Sequence, residues 1–355
     1  MEHFANIFTG YALPTIFVLG LLIFIHELGH FILAKLVGIR VERFSLGFPP
    51  RLIGKKIGDT DYCISAIPLG GYVKMAGMID ESMDSDGIKG EPDEFMSKPI
   101  WARVLVISAG PIFNILLAIA IFAAAFYMTG VAEPVGPVVE QVFDNTPAQK
   151  IGLQKGDIIR KIDDKPIRTW DDLIAIIHHS AGKELNIEWE RNGEILSAKV
   201  VPIKDEIQNI GLIGFSPKSE IKPVGLFRAI KLGAVRSWEL TALLGRSLKL
   251  IFTGTVSVGE GLAGPVRIAQ MAGESAKSGF GNLMMFAALL SLNLGLINIF
   301  PFPVLDGGHL VMLAIEGITG RPLSVKVKLA IQQVGMVLLL ALMAFIIFKD
   351  ITHVF

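Results

Sequence analysis

Phe24-Ile25-His26-Glu27-Leu28-Gly29-His30 reads H-E-x-x-H inside a long apolar run, not in the polar setting of a soluble enzyme. At about 100° per residue on a helix, His26 and His30 fall about 40° apart, one turn from each other. Two imidazoles so placed can reach a single metal ion, and Glu27 on the adjoining flank can touch a water upon it. A histidine on an apolar helix is ordinarily a packed or hydrogen-bonded residue. Here His26, Glu27 and His30 cluster within five residues of a run long enough to span a bilayer, where each is costly and is normally kept for function. The chain holds only 7 histidines in 355 residues, so chance explains the spacing poorly.

The composition is 52% hydrophobic and 19% charged with a mean hydropathy of +0.55, outside the range of ordinary soluble domains. A formal net charge of zero gives no footing for nucleic-acid binding. Cys63, the single cysteine, excludes an intramolecular disulfide framework and a cysteine-based metal site. Ala12 to about Leu36 is the first span, with the motif roughly 20 Å along it at the helical rise. No Lys or Arg precedes this run and no small-residue cleavage site precedes the motif, which predicts a retained span, not a cleaved signal. Lys35, Arg40, Arg43, Arg51, Lys55 and Lys56 follow it. The positive-inside rule therefore puts the N-terminus outside and the motif near the cytoplasmic face.

Residues 40–100 are expected to be cytoplasmic. Within them, Asp61–Met75 has two strand-like runs around Pro68 and Gly70-Gly71, a hairpin signal apolar enough to dip toward the membrane. Residues 78–98 read as an acidic exposed loop. Trp101 to about Thr129 is a second span returning outward, and its Gly110-Pro111 pair and Asn114 imply close packing and a polar partner. Charges and alternation return over 131–218. A strand at Pro137–Val142, a short helix at Pro147–Leu153 and a run Gly156–Asp163 lead to a helix at Trp170–Ser180. A hairpin at Leu185–Val201 then turns on Asn192-Gly193.

Lys222 to about Lys249 mixes basic residues with Leu, Phe and Trp at helical spacing, either as an amphipathic helix along the outer membrane surface or with a solvated face. Gly261–Arg267 reads as a tight, irregular connection. Leu283 to Phe302 is the third span, broken by Pro301 and Pro303, and Val327 to Phe348 is the fourth, with Arg321, Lys326 and Lys328 at its inner end. Asp306 falls at the inner end of the third span, at the depth of His26 and His30. A catalytic zinc takes three protein ligands and keeps one position open, and Asp306 is the best third ligand. His309 is the rival, and it lies beyond the turn.

The expected fold is therefore a polytopic α-helical membrane protein with four transmembrane helices, an inserted α+β domain and a membrane-associated β-hairpin. Residues 1–130 make the first half of the membrane core (spans about 12–36 and 101–129, with 37–100 between them). Residues 131–218 make the inserted domain, 219–282 a juxtamembrane connection, and 283–355 the second half (spans about 283–302 and 327–348).

Two resemblances add to this. The string P-A-x-x-x-G-L-x-x-G-D-x-I at Pro147–Ile159, followed by a helix and a hairpin, resembles a PDZ domain of the bacterial protease type. PDZ domains commonly take an extended chain or a C-terminus as an added strand; the sequence names no ligand for this one. H-E-x-x-H, G-P-x-x-N at Gly110–Asn114, one PDZ-like domain, and N-x-x-P-x-P-x-L-D-G-G at Asn298–Gly308 occur in that order. Together they resemble the site-2 proteases, the intramembrane zinc metalloproteases, and among them the regulator of sigma-E protease branch. The single PDZ-like domain departs from the tandem pair of the best-known members of that branch.

The resemblance implies Zn2+ held by His26, His30 and Asp306, with Glu27 as catalytic base. It implies that Asn298 and Asn293 engage substrate backbone, and that the stretch holding Tyr72, Val73, Lys74 and Met75 pairs with an unwound substrate segment. The implied location is a bacterial inner membrane, with both termini and the PDZ-like domain outside and the active site toward the cytoplasm. The implied partners are the lipid bilayer and single-span substrates already cut on the outer side, such as an anti-sigma factor or a signal-peptide remnant. A non-catalytic adaptor built around the PDZ-like domain is the alternative, and it leaves Glu27 and Asp306 without a purpose. A four-span transporter ranks last, for want of inverted repeats.

Overall fold

The structure, a computed structural model, describes residues 8–78, 89–205, 208–253 and 264–354. Parts of the expected acidic loop (79–88) and of the tight connection (261–263) lie outside the described residues. The chain opens with α1 (Leu13–Leu36), β1 (Val41–Ile57), β2 (Thr60–Met75) and α2 (Ile100–Thr129). Next come β3 (Val131–Val142), α3 (Pro147–Lys150), β4 (Ile158–Ile162), β5 (Lys165–Pro166) and α4 (Trp170–His178). Five strands follow: β6 (Leu185–Arg191), β7 (Glu194–Val200), β8 (Ile203–Asp205), β9 (Ile210–Leu212) and β10 (Phe215–Lys222). The last part holds α5 (Leu226–Phe252), α6 (Pro265–Lys277), α7 (Phe280–Ile299), α8 (Asp306–Thr319) and α9 (Val325–Val354). Two units result, Met1–Ala123 with Ile230–Phe355, and Ala124–Ala229.

In the first unit, four helices are long and apolar enough to cross a membrane, over Thr9–Leu36, Ile100–Thr129, Phe280–Ile299 and Val325–Asp350. The buried positions of α1 are Pro14, Val18, Leu22, His26, Gly29, His30 and Ala34. Their spacing of four traces one face of the helix. The rest of α1 is equally apolar and partly exposed, as at Leu13, Phe17 and Leu36, which is what a helix facing lipid on its far side requires.

The β1–β2 sheet differs from the expected hairpin. Residues 60–75 form a single strand, and the tight turn falls at Gly58-Asp59 between β1 and β2. Arg43, Phe44, Ser45 and Leu46 each face two residues of β2: Asp61–Ile64 on one side and Lys74–Gly71 on the other. The stretch around Pro68 and Gly70-Gly71 thus does reverse the chain. It carries the strand from one side of residues 43–46 to the other, so its two runs flank β1 and do not pair with each other. Sequence pattern shows the reversal but not the partner, because pairing here is set by a segment twenty-odd residues upstream. Val41, Val73 and Met75 then pack with Ala34, Val106, Ile107 and Leu313, a core that joins the sheet to α1, α2 and α8.

The third span also ends differently. Phe300 is extended, as a residue before proline must be, and α7 stops at Ile299. Leu305 N–H donates to Phe302 O at 3.1 Å across a turn with Val304 at φ 81°. Asp306 is therefore the first residue of a separate helix, not the end of the third span. Cβ atoms on Gly307 and Gly308 would collide with the carbonyl oxygens of Phe300 and Phe302. Only glycine lets α8 fold back so tightly on the end of α7.

The second unit is a sheet of order β10-β3-β4-β6-β7 with β5 beside β4, and β8 pairs with β9. Val139, Ile159, Ile162, Leu173, Ile187 and Trp189 fill its core. Thr169 and Asp172 close a reciprocal cap on α4, with Asp172 N–H to Thr169 Oγ1 at 3.1 Å and Thr169 N–H to Asp172 Oδ2 at 2.9 Å. Asn192 and Gly193 take φ 53° and 87°, the two left-handed positions of a tight hairpin turn.

The fully buried Asp157 accepts two hydrogen bonds from Arg191, at 2.8 and 2.7 Å, and Arg191 also donates to Gly152 O at 2.7 Å. Arg191→Leu should therefore strand a buried carboxylate and destabilise this unit by about 3 kcal/mol. Faster amide exchange in β6 and β7 of the intact chain would report it, with the helices of the first unit unchanged.

Candidate active site

Gly29 and Gly110 decide how close α1 and α2 come. A Cβ on Gly29 would lie 2.5 Å from Ala109 O, and one on Gly110 would collide with His30 Nε2 and stand 2.7 Å from His26 Nε2. With both absent, the histidine rings lie directly against the α2 backbone. His30 Nδ1–H donates to Val106 O at 2.8 Å. A carbonyl only accepts, so the ring proton is on Nδ1 and the Nε2 lone pair faces inward.

His26 Nδ1 lies 3.1 Å from the Asn114 amide. A histidine that uses Nε2 as ligand keeps its proton on Nδ1, so the amide then presents its oxygen. That orientation also gives Asn114 Oδ1 a hydrogen bond where it is otherwise buried without one.

The inward atoms converge. His26 Nε2 and His30 Nε2 are 3.1 Å apart, and Asp306 Oδ2 and Oδ1 stand 3.1 and 3.5 Å from them respectively. Ligands about 2.0–2.1 Å from a tetrahedral zinc are spaced by about 3.3 Å. The three side chains thus form one group able to hold a metal ion. Two neutral imidazoles and one carboxylate suit zinc as a donor set.

A cavity of about 420 Å³ opens on this group. Glu27, Asn298 and His309 line it, as do Tyr72, Val73 and Met75. Asn298 Nδ2 is 3.5 Å from His26 Nε2. A Cβ on Gly71 would be 3.8 Å from Glu27 Cγ, so the β2 backbone runs alongside the helix that carries this glutamate. The Gly71–Met75 run pairs with β1 along one side, and its other side has no strand partner among the described residues. Asn293 and Lys74 are not among the lining residues; Lys74 Nζ sits 3.7 Å from Glu42 Oε2. His309 lies in the first turn of α8 and reaches the cavity wall, with its Nε2 3.3 Å from Gln332 Nε2, but it is not one of the metal-holding group. The sequence had marked Asn114 as a buried polar residue without assigning its partner. Val106, which acts through its carbonyl, carries no sequence signal at all.

This fold and site define a metal-dependent hydrolase built among apolar helices. The model of peptidase family M50 matches residues 14–342. The chain belongs to that family, the site-2 proteases, and is a zinc metalloprotease. A chain named as a candidate zinc metalloprotease in Clostridium acetobutylicum is 37% identical over 339 residues, covering 95% of this chain and 96% of that one. Similarly named chains from Clostridium perfringens and Rhizobium meliloti are 38% and 36% identical; they cover 96% and 97% of this chain and 98% and 97% of their own. The PDZ domain of an SdrC-like protein from Listeria monocytogenes matches 23% of this chain and 86% of its own at 24% identity, with a TM-score of 0.22.

Asn114→Leu should leave His26 without its hydrogen-bond partner and weaken metal retention about 10–100-fold, measured by chelator competition. Gly110→Ala should push the imidazoles off the shared centre, and elemental analysis of the folded variant should find the metal largely lost.

Proposed function

We propose that the chain hydrolyses peptide bonds within transmembrane segments, with zinc held by His26, His30 and Asp306. The observation that carries this reading is the convergence of His26 Nε2, His30 Nε2 and the Asp306 carboxylate in a cavity that Glu27, Tyr72 and Val73 also line. A zinc ion held there would supply Lewis acidity, acidifying a water and polarising the scissile carbonyl. Glu27 takes the proton from that water and delivers it to the departing amine. Asn298, whose amide is 3.5 Å from His26 Nε2, holds substrate backbone in this reading.

A transmembrane helix hides its carbonyls in its own hydrogen bonds, so it has to unwind before cleavage. The side of Gly71–Val73 away from β1, which has no strand partner among the described residues, offers replacement backbone bonds to the unwound segment. In this reading the cavity faces the cytoplasmic side of a bacterial inner membrane, and the inserted unit stands outside. There it screens substrates by the bulk of their outer part, after another protease has trimmed them. The motif order favours the regulator of sigma-E protease branch for this chain.

Purified Glu27→Gln should keep about one zinc per chain and cleave a single-span substrate about 10²–10⁴-fold more slowly. Full cleavage by that variant would remove Glu27 from the role of base, and a zinc-free parent would remove the metal reading. Substrates with a helix-breaking Gly or Pro near the scissile bond should be cut faster than an all-Leu segment, in a side-by-side assay in one detergent.

A further inference from the structure

A second ionic group lies away from the cavity, at the other end of α8. Glu316 is 1% exposed and accepts from Arg103 Nη1 on α2 at 2.8 Å. Lys328 Nζ on α9 stands 2.7 Å from its other oxygen, which also accepts from Leu323 N–H at 3.1 Å. Arg103 and Lys328 are themselves only 6% and 7% exposed. The proposed reaction uses none of the three.

Stability does not account for such a group. Taking three charges out of water is costly, and apolar side chains of similar size commonly serve at least as well. The best-attested use of buried ions is to fix register. Here the register is that of α2 against α8. Arg103 meets Glu316; one turn further, Val106 and Ile107 share a core with Leu313. Beyond these, the imidazoles lying against Gly110 meet Asp306.

The helices run antiparallel, and they carry different halves of one site. On α2, Val106 and Asn114 aim the histidines; on α8, Asp306 supplies the carboxylate. Apolar contacts resist a slip along the helix weakly, because they have no direction. A slip of one turn, about 5.4 Å, would exchange one apolar contact for another yet carry Asp306 out of reach of both imidazoles. The same slip would leave Arg103 buried and unpaired.

We infer that the Arg103–Glu316 pair is a register pin that positions Asp306 against His26 and His30. Glu316 and Arg103 are positioning residues for the metal centre: Glu316 lies about 15 Å along α8 from Asp306, and Arg103 about 10 Å along α2 from Gly110. Lys328 ties α9, which carries no ligand, to the same carboxylate. This inference rests on the metal site of the proposed function.

The test compares zinc affinity, by chelator competition, with thermal unfolding of the zinc-free full chain. Glu316→Gln and Lys328→Met each remove one member of the cluster. Glu316→Gln should weaken zinc binding at least tenfold, well below its own unfolding temperature, while Lys328→Met stays within about twofold of the parent. The apolar triple Arg103→Met/Glu316→Leu/Lys328→Met should bind zinc as weakly as Glu316→Gln even if it unfolds no earlier than the parent. A folded triple with parental zinc affinity would overturn the inference. If the triple does not fold, the two single variants decide, and equal zinc losses that follow their unfolding temperatures would overturn it as well. A parent chain that binds no zinc would instead refute the metal site itself.

Discussion

Where α1 and α2 meet, Gly29 and Gly110 remove the two Cβ atoms that would hold the helices apart. Backbone approaches backbone, and the imidazoles of His26 and His30 lie against α2 with their outer nitrogens satisfied there. In an apolar surround this matters doubly. A ring nitrogen left without a partner would be costly, and a ring free to rotate would present the wrong nitrogen to a metal. The close approach thus sets tautomer, orientation and spacing together. Nearly every other feature of the first unit either protects that crossing or brings something to it.

What is brought comes from two directions. Prolines end α7, and the two glycines after Asp306 allow α8 to start against the end of α7, so a carboxylate arrives at the imidazoles from the far end of the chain. The β1–β2 sheet brings its Gly71–Met75 run along the helix that carries Glu27. Apolar helices supply the walls. The proposed reaction asks for a polar centre and a source of backbone hydrogen bonds, and residues of both line one cavity.

Much of the site was legible before folding because its signals are local. His26 and His30 are one helical turn apart, so any helix puts them together. Asn192-Gly193 specifies its turn through backbone preference alone. The four apolar runs are long enough to be read as spans by length. Matching depth points to Asp306 but puts it on the wrong helix: the proline run suggests an ending, while the start of α8 depends on glycines packing against carbonyls of the preceding turn. The pairing of β2 was hidden for a similar reason. Both its runs are strand-like, and nothing local says that residues 43–46 lie between them.

The amino-acid sequence by itself determined the membrane character, the order of elements, the paired histidines with their glutamate, and the chemistry available to them. These follow from composition and from spacings of a few residues, where the helix or strand period fixes geometry. Only the tertiary structure decided which nitrogen each imidazole presents, that the Val106 carbonyl holds His30 and the Asn114 amide His26, and how Glu316 sits between α2, α8 and α9. Those depend on contacts between residues up to 213 positions apart. Such contacts are set by the closeness of helix approach and the register of one helix on another, quantities with no period in the sequence.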